Sequence, residues 1–323
     1  MTPPAVTPPR PAGAAGPGGS AVAAPAAGPT ALPPPGPHGG DGPAVARALG
    51  LDPAQVLDLS QTLNPHGPGV AALVRRHADV VGRYPHPAAA TAALADAMGV
   101  DRHRLVLTNG GSEAITLVAG AIGGTVAGEP EFALHPRHGG GPRWRSNPHS
   151  PSGRLAGPHE RADVWDEAFY PLATGSWTRG DPGAVVVGSL TKLWACPGLR
   201  LGYVLADDAT RLAAAQPAWA VSSIALAVLP ELLAATDLPG WSHAVAHHRG
   251  ALVELLRGHG LRVEAADAPW VLVEAPGLRE RLAPHGVVVR DCASFGLHGW
   301  ARIAVPGDRG LDRLAAALDR TAP

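Results

Sequence analysis

Ser189-Leu190-Thr191-Lys192-Leu193-Trp194-Ala195-Cys196-Pro197-Gly198-Leu199-Arg200-Leu201-Gly202-Tyr203 contains the one lysine among the 26 lysine and arginine residues of this 323-residue chain. On a solvated surface either cation serves. Only the lysine amine can lose its proton and attack a carbonyl to form a Schiff base, because a guanidinium stays protonated and is a poor nucleophile. Lys192 is therefore a candidate covalent residue, to be weighed against one surface lysine that survived by chance. Its neighbourhood favours chemistry. The run Ala184-Val185-Val186-Val187 reads as a buried strand leading into Ser189 and Thr191, and Pro197-Gly198 breaks the chain before Arg200. Hydroxyls, an amine and a guanidinium then converge at a strand end, a place suited to a ligand with both a phosphate and an aldehyde.

Composition narrows the setting. Apolar residues make up 46% and charged residues 16%, as in a globular enzyme with a lightly charged surface. A formal net charge of −1 gives no electrostatic reason to expect nucleic acid or an anionic membrane as partner. Cys196 and Cys292 are too few for a disulfide framework, so a cytoplasmic location is the expectation. Residues 1–37 hold 12 Pro, 6 Gly and 10 Ala with Arg10 as their one charge, which reads as a disordered tail. No strongly apolar run reaches the roughly 18 residues of a membrane span.

Beyond the tail, His38-Gly39-Gly40-Asp41 opens the ordered region and a short helix runs from Pro43 to Leu49. Val56 to Ser60 is extended and leads into Asn64-Pro65-His66-Gly67-Pro68, a loop with fixed backbone directions. Helical spacing covers Val70–Val81 and Thr91–Met98. Arg104–Leu107 reads as a strand that turns at Asn109-Gly110-Gly111-Ser112-Glu113 into a helix, exposing backbone N–H groups to an anion. The same cap is common in helices that bind nothing. From Gly123 to Ser146 no strand or helix is predicted, and then come Asn147-Pro148-His149-Ser150-Pro151 and Asp163-Val164-Trp165-Asp166. A carboxylate at a strand's C-terminal end lies on the ligand-binding edge of an open α/β sheet. Helices follow from about Trp219 past His259, and strands alternate with helices from Trp270 to Leu318. His243, His247 and His248 read as a solvated helix face and no metal is expected. Trp194 and Trp219 read as packing residues.

These pieces in this order resemble the fold-type-I pyridoxal-phosphate enzymes of the class I/II aminotransferase family, from His38 to about Leu318. The most specific match is Ser189-Leu190-Thr191-Lys192 followed by Pro197-Gly198-Leu199-Arg200-Leu201-Gly202-Tyr203. The resemblance implies an α/β fold, with a large domain built on a mostly parallel sheet flanked by helices and a smaller α/β domain. Residues 65–235 would form the first, and 38–64 with 236–323 the second. It implies that pyridoxal 5'-phosphate is held by Lys192 and that Asp166 pairs with its pyridine nitrogen. A carboxylate there keeps the nitrogen protonated, so the ring can withdraw the electrons released when a bond to Cα breaks. Asn147 would donate to the ring's phenolic oxygen. Gly110, Gly111, Ser189 and Arg200 would hold the phosphate, with Tyr84 reaching across a homodimer to the partner's phosphate. Arg302 would clamp the carboxylate of an amino acid substrate, Arg290 would supply a second anion contact, and Asn64 would border the substrate.

Two branches of the family come nearest. His38-Gly39-Gly40, Leu57-Asp58-Leu59-Ser60 before Asn64-Pro65, and Phe169 look like threonine-phosphate decarboxylases of cobalamin biosynthesis, while histidinol-phosphate aminotransferases often place a tyrosine where Phe169 stands. One departure concerns the stretch before Asn147. Pro130-Glu131-Phe132-Ala133-Leu134-His135 keeps the start of a strand-helix unit whose remainder is missing, with His135 where a cofactor-stacking tyrosine is expected. That shortening also allows a rival reading, a scaffold that has lost catalysis. A nucleotide-binding α/β protein is a third, although no Gly-x-Gly-x-x-Gly or phosphate-loop lysine supports it.

Overall fold

In a computed structural model of the chain, which describes residues 31–321, the buried valine run before Lys192 is a central strand. The first seven strands are β1 (Leu57–Asp58), β2 (Leu105–Asn109), β3 (Thr125–Val126), β4 (Arg143–Ser146), β5 (Val164–Asp166), β6 (Val185–Ser189) and β7 (Leu201–Leu205). Five more follow: β8 (Arg262–Ala265), β9 (Trp270–Glu274), β10 (Val287–Val288), β11 (Arg290–Asp291) and β12 (Trp300–Ala304).

The large sheet has the order β2-β7-β6-β5-β4-β3. All its strands run parallel except β7, which lies antiparallel between β2 and β6. Strands covered on both faces need apolar side chains in both directions, and the cores show that they have them. Leu105, Leu107, Val186 and Tyr203 pack with the helices Ala88–Met98 and Ser223–Ala234 on one face. Val106, Val187 and Val204 pack with the helices Gly110–Ile122 and Ala209–Ala215 on the other.

A second sheet, ordered β11-β12-β9-β8 and antiparallel throughout, packs one face on the helices Leu238–Gly258 and Asp308–Thr321. Ala301 and Ile303 of β12 belong to that core. Strand alternation therefore turns Arg302 to the opposite face, toward the large sheet. β1 pairs in parallel with β10 and ties the N-terminal segment to this half.

Several elements differ from the sequence expectations. Residues 1–30 of the expected tail lie outside the described residues. Of 31–37, Leu32 packs against Val45, Ala283 and Val288, and the Pro37 carbonyl accepts from Arg290 Nη2 at 3.0 Å, so chain expected as tail lines the smaller half. Between Gly123 and Ser146, where no element is expected, β3 and β4 pair in parallel. β3 has only two residues and β4 alternates Arg, Trp, Arg and Ser, which hides a strand from a search for apolar runs. His248 is buried and bonds Asp308 Oδ1 at 2.9 Å rather than facing solvent, and Trp219 is exposed rather than packed. No single helix among the described residues is long and apolar enough to cross a membrane. The helices Ser223–Ala234 and Leu238–Gly258 pass on combined length and composition, but they are bent by 83° and contribute Leu229, Leu232 and Leu252 to buried cores.

Candidate active site

The C-terminal ends of the parallel strands lie along one edge of the large sheet, and the side chains singled out in the sequence gather there. β2 ends at Asn109, β4 at Ser146, β5 at Asp166 and β6 at Ser189. Because β7 is antiparallel it begins where its neighbours end: Leu201 pairs with Asn109, and Gly202 with Ser189. Arg200 is thereby delivered to the same edge. A cavity of about 270 Å³ opens there, with Gly111, Asp166, Ser189, Lys192, Arg200, Arg290 and Arg302 among its lining.

Gly110, Gly111, Ser189 and Arg200 form a cradle at the N-terminus of the helix Gly110–Ile122. A Cβ on Gly110, whose φ is +77°, would stand 2.5 Å from Arg200 Nη2, and one on Gly111 would stand 3.1 Å from Ser189 Cβ. Arg200 is fixed by donating to the carbonyls of Pro197 at 3.2 Å and Asn109 at 3.4 Å. Ser189 Oγ and Thr191 Oγ1 are 2.8 Å apart, so the two hydroxyls that the sequence brings to this strand end order each other. Helix N–H groups, a hydroxyl and a guanidinium together suit a phosphate dianion.

Lys192 is carried by the one-turn helix Leu190–Leu193. Burial, then the positive charges of Arg302, Arg200 and Arg290, push its amine down to about 8, with Asp166 opposing. Asn64 fixes this turn. Its backbone N–H donates to the Lys192 carbonyl at 3.0 Å and its side-chain amide to the Leu193 carbonyl at 2.9 Å, while its Oδ1 accepts from His66 N–H at 3.0 Å. Asn64 and Asn147 both lie behind the residues that line the cavity, and the contacts that Asn64 makes are those of a clamp on the lysine turn rather than of a residue bordering the substrate.

Asp166 Oδ1 accepts from Ala168 N–H at 3.0 Å, and Oδ2 accepts from His135 Nε2 at 3.0 Å. His135 was expected to stack over the cofactor. It is instead enclosed, with Phe132 and Trp144 each 5.6 Å from it between ring centroids. The cavity wall holds Phe132, three residues earlier. Phe132 is one of only three phenylalanines in the chain, which was the available signal. Asn147 is also buried. Its Oδ1 accepts from Ala156 N–H at 2.9 Å, and its Nδ2 has no hydrogen-bond partner among the described residues.

Arg290 and Arg302 face each other across β11 and β12. Arg302 is held down to about 9 by burial and then by Arg290; its guanidinium lies 4.7 Å from the Trp270 ring centroid, and that of Arg290 lies 4.3 Å from that of Phe295. His38 also lines the cavity, its imidazole held below the usual histidine range by burial, Arg290 and Lys192. Tyr84 is away from this cavity, 70% exposed and stacked on Trp219 at 4.6 Å.

A cradle suited to an anion, a depressed lysine amine and a carboxylate at the next strand end, on a mixed sheet beside a smaller antiparallel one, are the features of a fold-type-I pyridoxal-phosphate enzyme. The family Aminotransferase class I and II matches residues 146–318, and the chain belongs to it. It is 28% identical to a histidinol-phosphate aminotransferase of Halorubrum lacusprofundi, over 86% of this chain and 92% of that one. It is 30% identical to a threonine-phosphate decarboxylase of Salmonella typhimurium, over 87% of this chain and 95% of that one. A histidinol-phosphate aminotransferase of Sinorhizobium meliloti solved with pyridoxal-5'-phosphate shares the fold, with a TM-score of 0.71, 20% identity, and coverage of 87% of this chain and 94% of that one.

Proposed function

We propose that the chain is a pyridoxal-phosphate-dependent enzyme acting on a small amino acid that bears a second anionic group. The favoured reaction is decarboxylation of L-threonine O-3-phosphate in cobalamin biosynthesis. The observation that carries this is the opposed pair Arg290 and Arg302. Both line the cavity, and neither has an ion-pairing carboxylate among the described residues. Burying two guanidiniums side by side without counter-ions is unfavourable. A substrate with both a carboxylate and a phosphate would relieve it.

The residues present fit the cofactor. At Gly110 and Gly111 a Cβ would crowd Arg200 and Ser189, so glycine lets those two side chains close on the helix N-terminus, and Asn147 Nδ2 is a buried donor with no partner among the described residues. Pyridoxal phosphate, when bound, accepts the electron pair released as a bond to the substrate Cα breaks. Lys192 would hold it covalently, Asp166 would keep its ring nitrogen protonated, and Asn147 would donate to its phenolic oxygen. Phe132 would cover one ring face and exclude water. Arg302 would anchor the substrate carboxylate bidentately and Arg290 the second anion, with His38 beside it. With its depressed basicity, Lys192 Nζ can give up or return a proton at Cα near neutral pH.

Which Cα bond breaks depends on how these arginines orient the substrate. Phe169 lies edge-on to Trp270 at 4.9 Å and places no phenol in the cavity wall, which supports the decarboxylase over an aminotransferase of the histidinol-phosphate type. Incubating the holoenzyme with O-phospho-L-threonine tests this: carbon dioxide and an amine phosphate are expected. Keto acid formation from an amino donor without carbon dioxide would favour the aminotransferase. Failure to trap the cofactor on Lys192 by borohydride would favour the scaffold. We further propose a homodimer, with Tyr84 serving the partner's phosphate, and a cytoplasmic location for a chain whose two cysteines are free and buried.

A further inference from the structure

β3 and β4 are adjacent parallel strands, yet the connection between them, residues 127–142, contains no helix. A parallel crossover ordinarily satisfies its own carbonyls inside a helix. Here they converge on one side chain. Arg137 Nη1 donates to the carbonyls of Phe132 at 3.1 Å, Ala133 at 3.1 Å and His135 at 2.8 Å. Its Nη2 donates to the Glu131 carbonyl at 2.9 Å, and its Nε to Glu129 Oε1 at 2.7 Å. A planar, permanently charged fork with five donors can gather such a set, whereas an ammonium has only three.

The segment so gathered reaches the site at two points. His135 bonds the Asp166 carboxylate, and Phe132 stands in the cavity wall with its ring 5.5 Å from that of His38. The buried Glu131 carboxylate secures the other side of the segment, accepting from Ser146 N–H at 2.9 Å and Phe132 N–H at 2.8 Å.

We infer that Arg137 is a positioning residue. It takes the place of a crossover helix, and by holding the carbonyls of residues 131, 132, 133 and 135 it keeps His135 on Asp166 and Phe132 against the cofactor face. The consequence for the cofactor rests on the function proposed above; the ordering of the loop does not.

Two measurements on the full chain separate these parts. Amide hydrogen exchange of the cofactor-free protein reads the loop, and equilibrium titration with pyridoxal phosphate reads the site. Arg137→Ala is expected to speed exchange in residues 129–137 while the rest of the protein exchanges as in wild type, and to weaken pyridoxal phosphate binding about tenfold or more. Guanidinium ion at sub-denaturing concentration should restore much of that affinity to Arg137→Ala and none to Lys192→Ala, and Arg137→Lys should fall between. Unchanged exchange in 129–137, or faster exchange across the whole chain, overturns the inference. Loop exchange that rises without any loss of affinity overturns the link to the site. If wild type does not bind pyridoxal phosphate, the proposed function fails while exchange still judges the role of Arg137 in the loop.

Discussion

Lys192 shows how function and stability oppose each other at a single residue. Its amine falls from 10.5 to about 8 in the fold, through burial first and the three neighbouring arginines second. Between those values the unfolded chain binds the proton that the folded chain has released, so stability rises with pH from about 8 to about 10.5, and the cost of the buried ammonium is fully present below that window. That cost is about 3 kcal/mol. Lys192→Met, similar in volume and uncharged, is therefore expected to raise the melting temperature of the cofactor-free protein by several degrees at pH 7 while abolishing covalent capture of the cofactor. The difference should shrink as the pH approaches 10.5. A variant that melts below wild type at pH 7 would show that the buried Lys192 ammonium is compensated within the fold and carries no net cost.

At the scale of elements, the close approach of β2, β6 and β7 at the ligand edge depends on glycine. A Cβ on Gly202 would lie 2.5 Å from Gly110 C, 2.7 Å from Gly111 N and 2.8 Å from Gly188 O. All three are backbone atoms and cannot swing aside. Gly202→Ala should therefore push β7 away from its neighbours, lower stability by about 3 kcal/mol in urea unfolding, and loosen Arg200 at the strand's start. Gly120 is a contrast, lying inside the helix Gly110–Ile122 with open space where its Cβ would be. Gly120→Ala should stabilise by about 0.5–1 kcal/mol. Equal effects at the two positions would contradict the packing described. Among the strands that reach the site, those legible in the sequence include two whose apolar run ends in a chemical residue: β5 in Asp166 and β6 in Ser189. Most of what sequence reasoning missed had no local signal, the scarce Phe132 apart. Arg143-Trp144-Arg145-Ser146 carries two charges, and Asn64 is committed to Leu193, 129 residues away. His135 bonds Asp166 while Phe132 lines the cavity, and the bonds from Arg137 to the carbonyls of residues 131, 132, 133 and 135 that order this loop are not visible in a linear reading.

For the whole molecule, an exposed aromatic surface suggests that one chain is not the working unit. Tyr84 and Trp219 stack on each other while remaining 70% and 61% exposed, and Val81 is 66% exposed. Apolar side chains this large, stacked and open, suit a surface that another copy covers. The proposed homodimer gives Tyr84 a task that its own chain's cavity does not. If Tyr84 completes the partner's phosphate site, Tyr84→Ala and Lys192→Ala damage different parts of a shared site, and each homodimer should be poor or inactive. Refolded as an equal mixture, about half the dimers would be hybrids, each with one site carrying both defects and one carrying neither, so activity should recover to about a quarter of wild type. Activity that stays at the mean of the two parents would show that Tyr84 acts within its own chain or not at all. In that case the aromatic pair would be a packing feature of the surface, and each cavity would have to hold its phosphate with Gly110, Gly111, Ser189 and Arg200 alone.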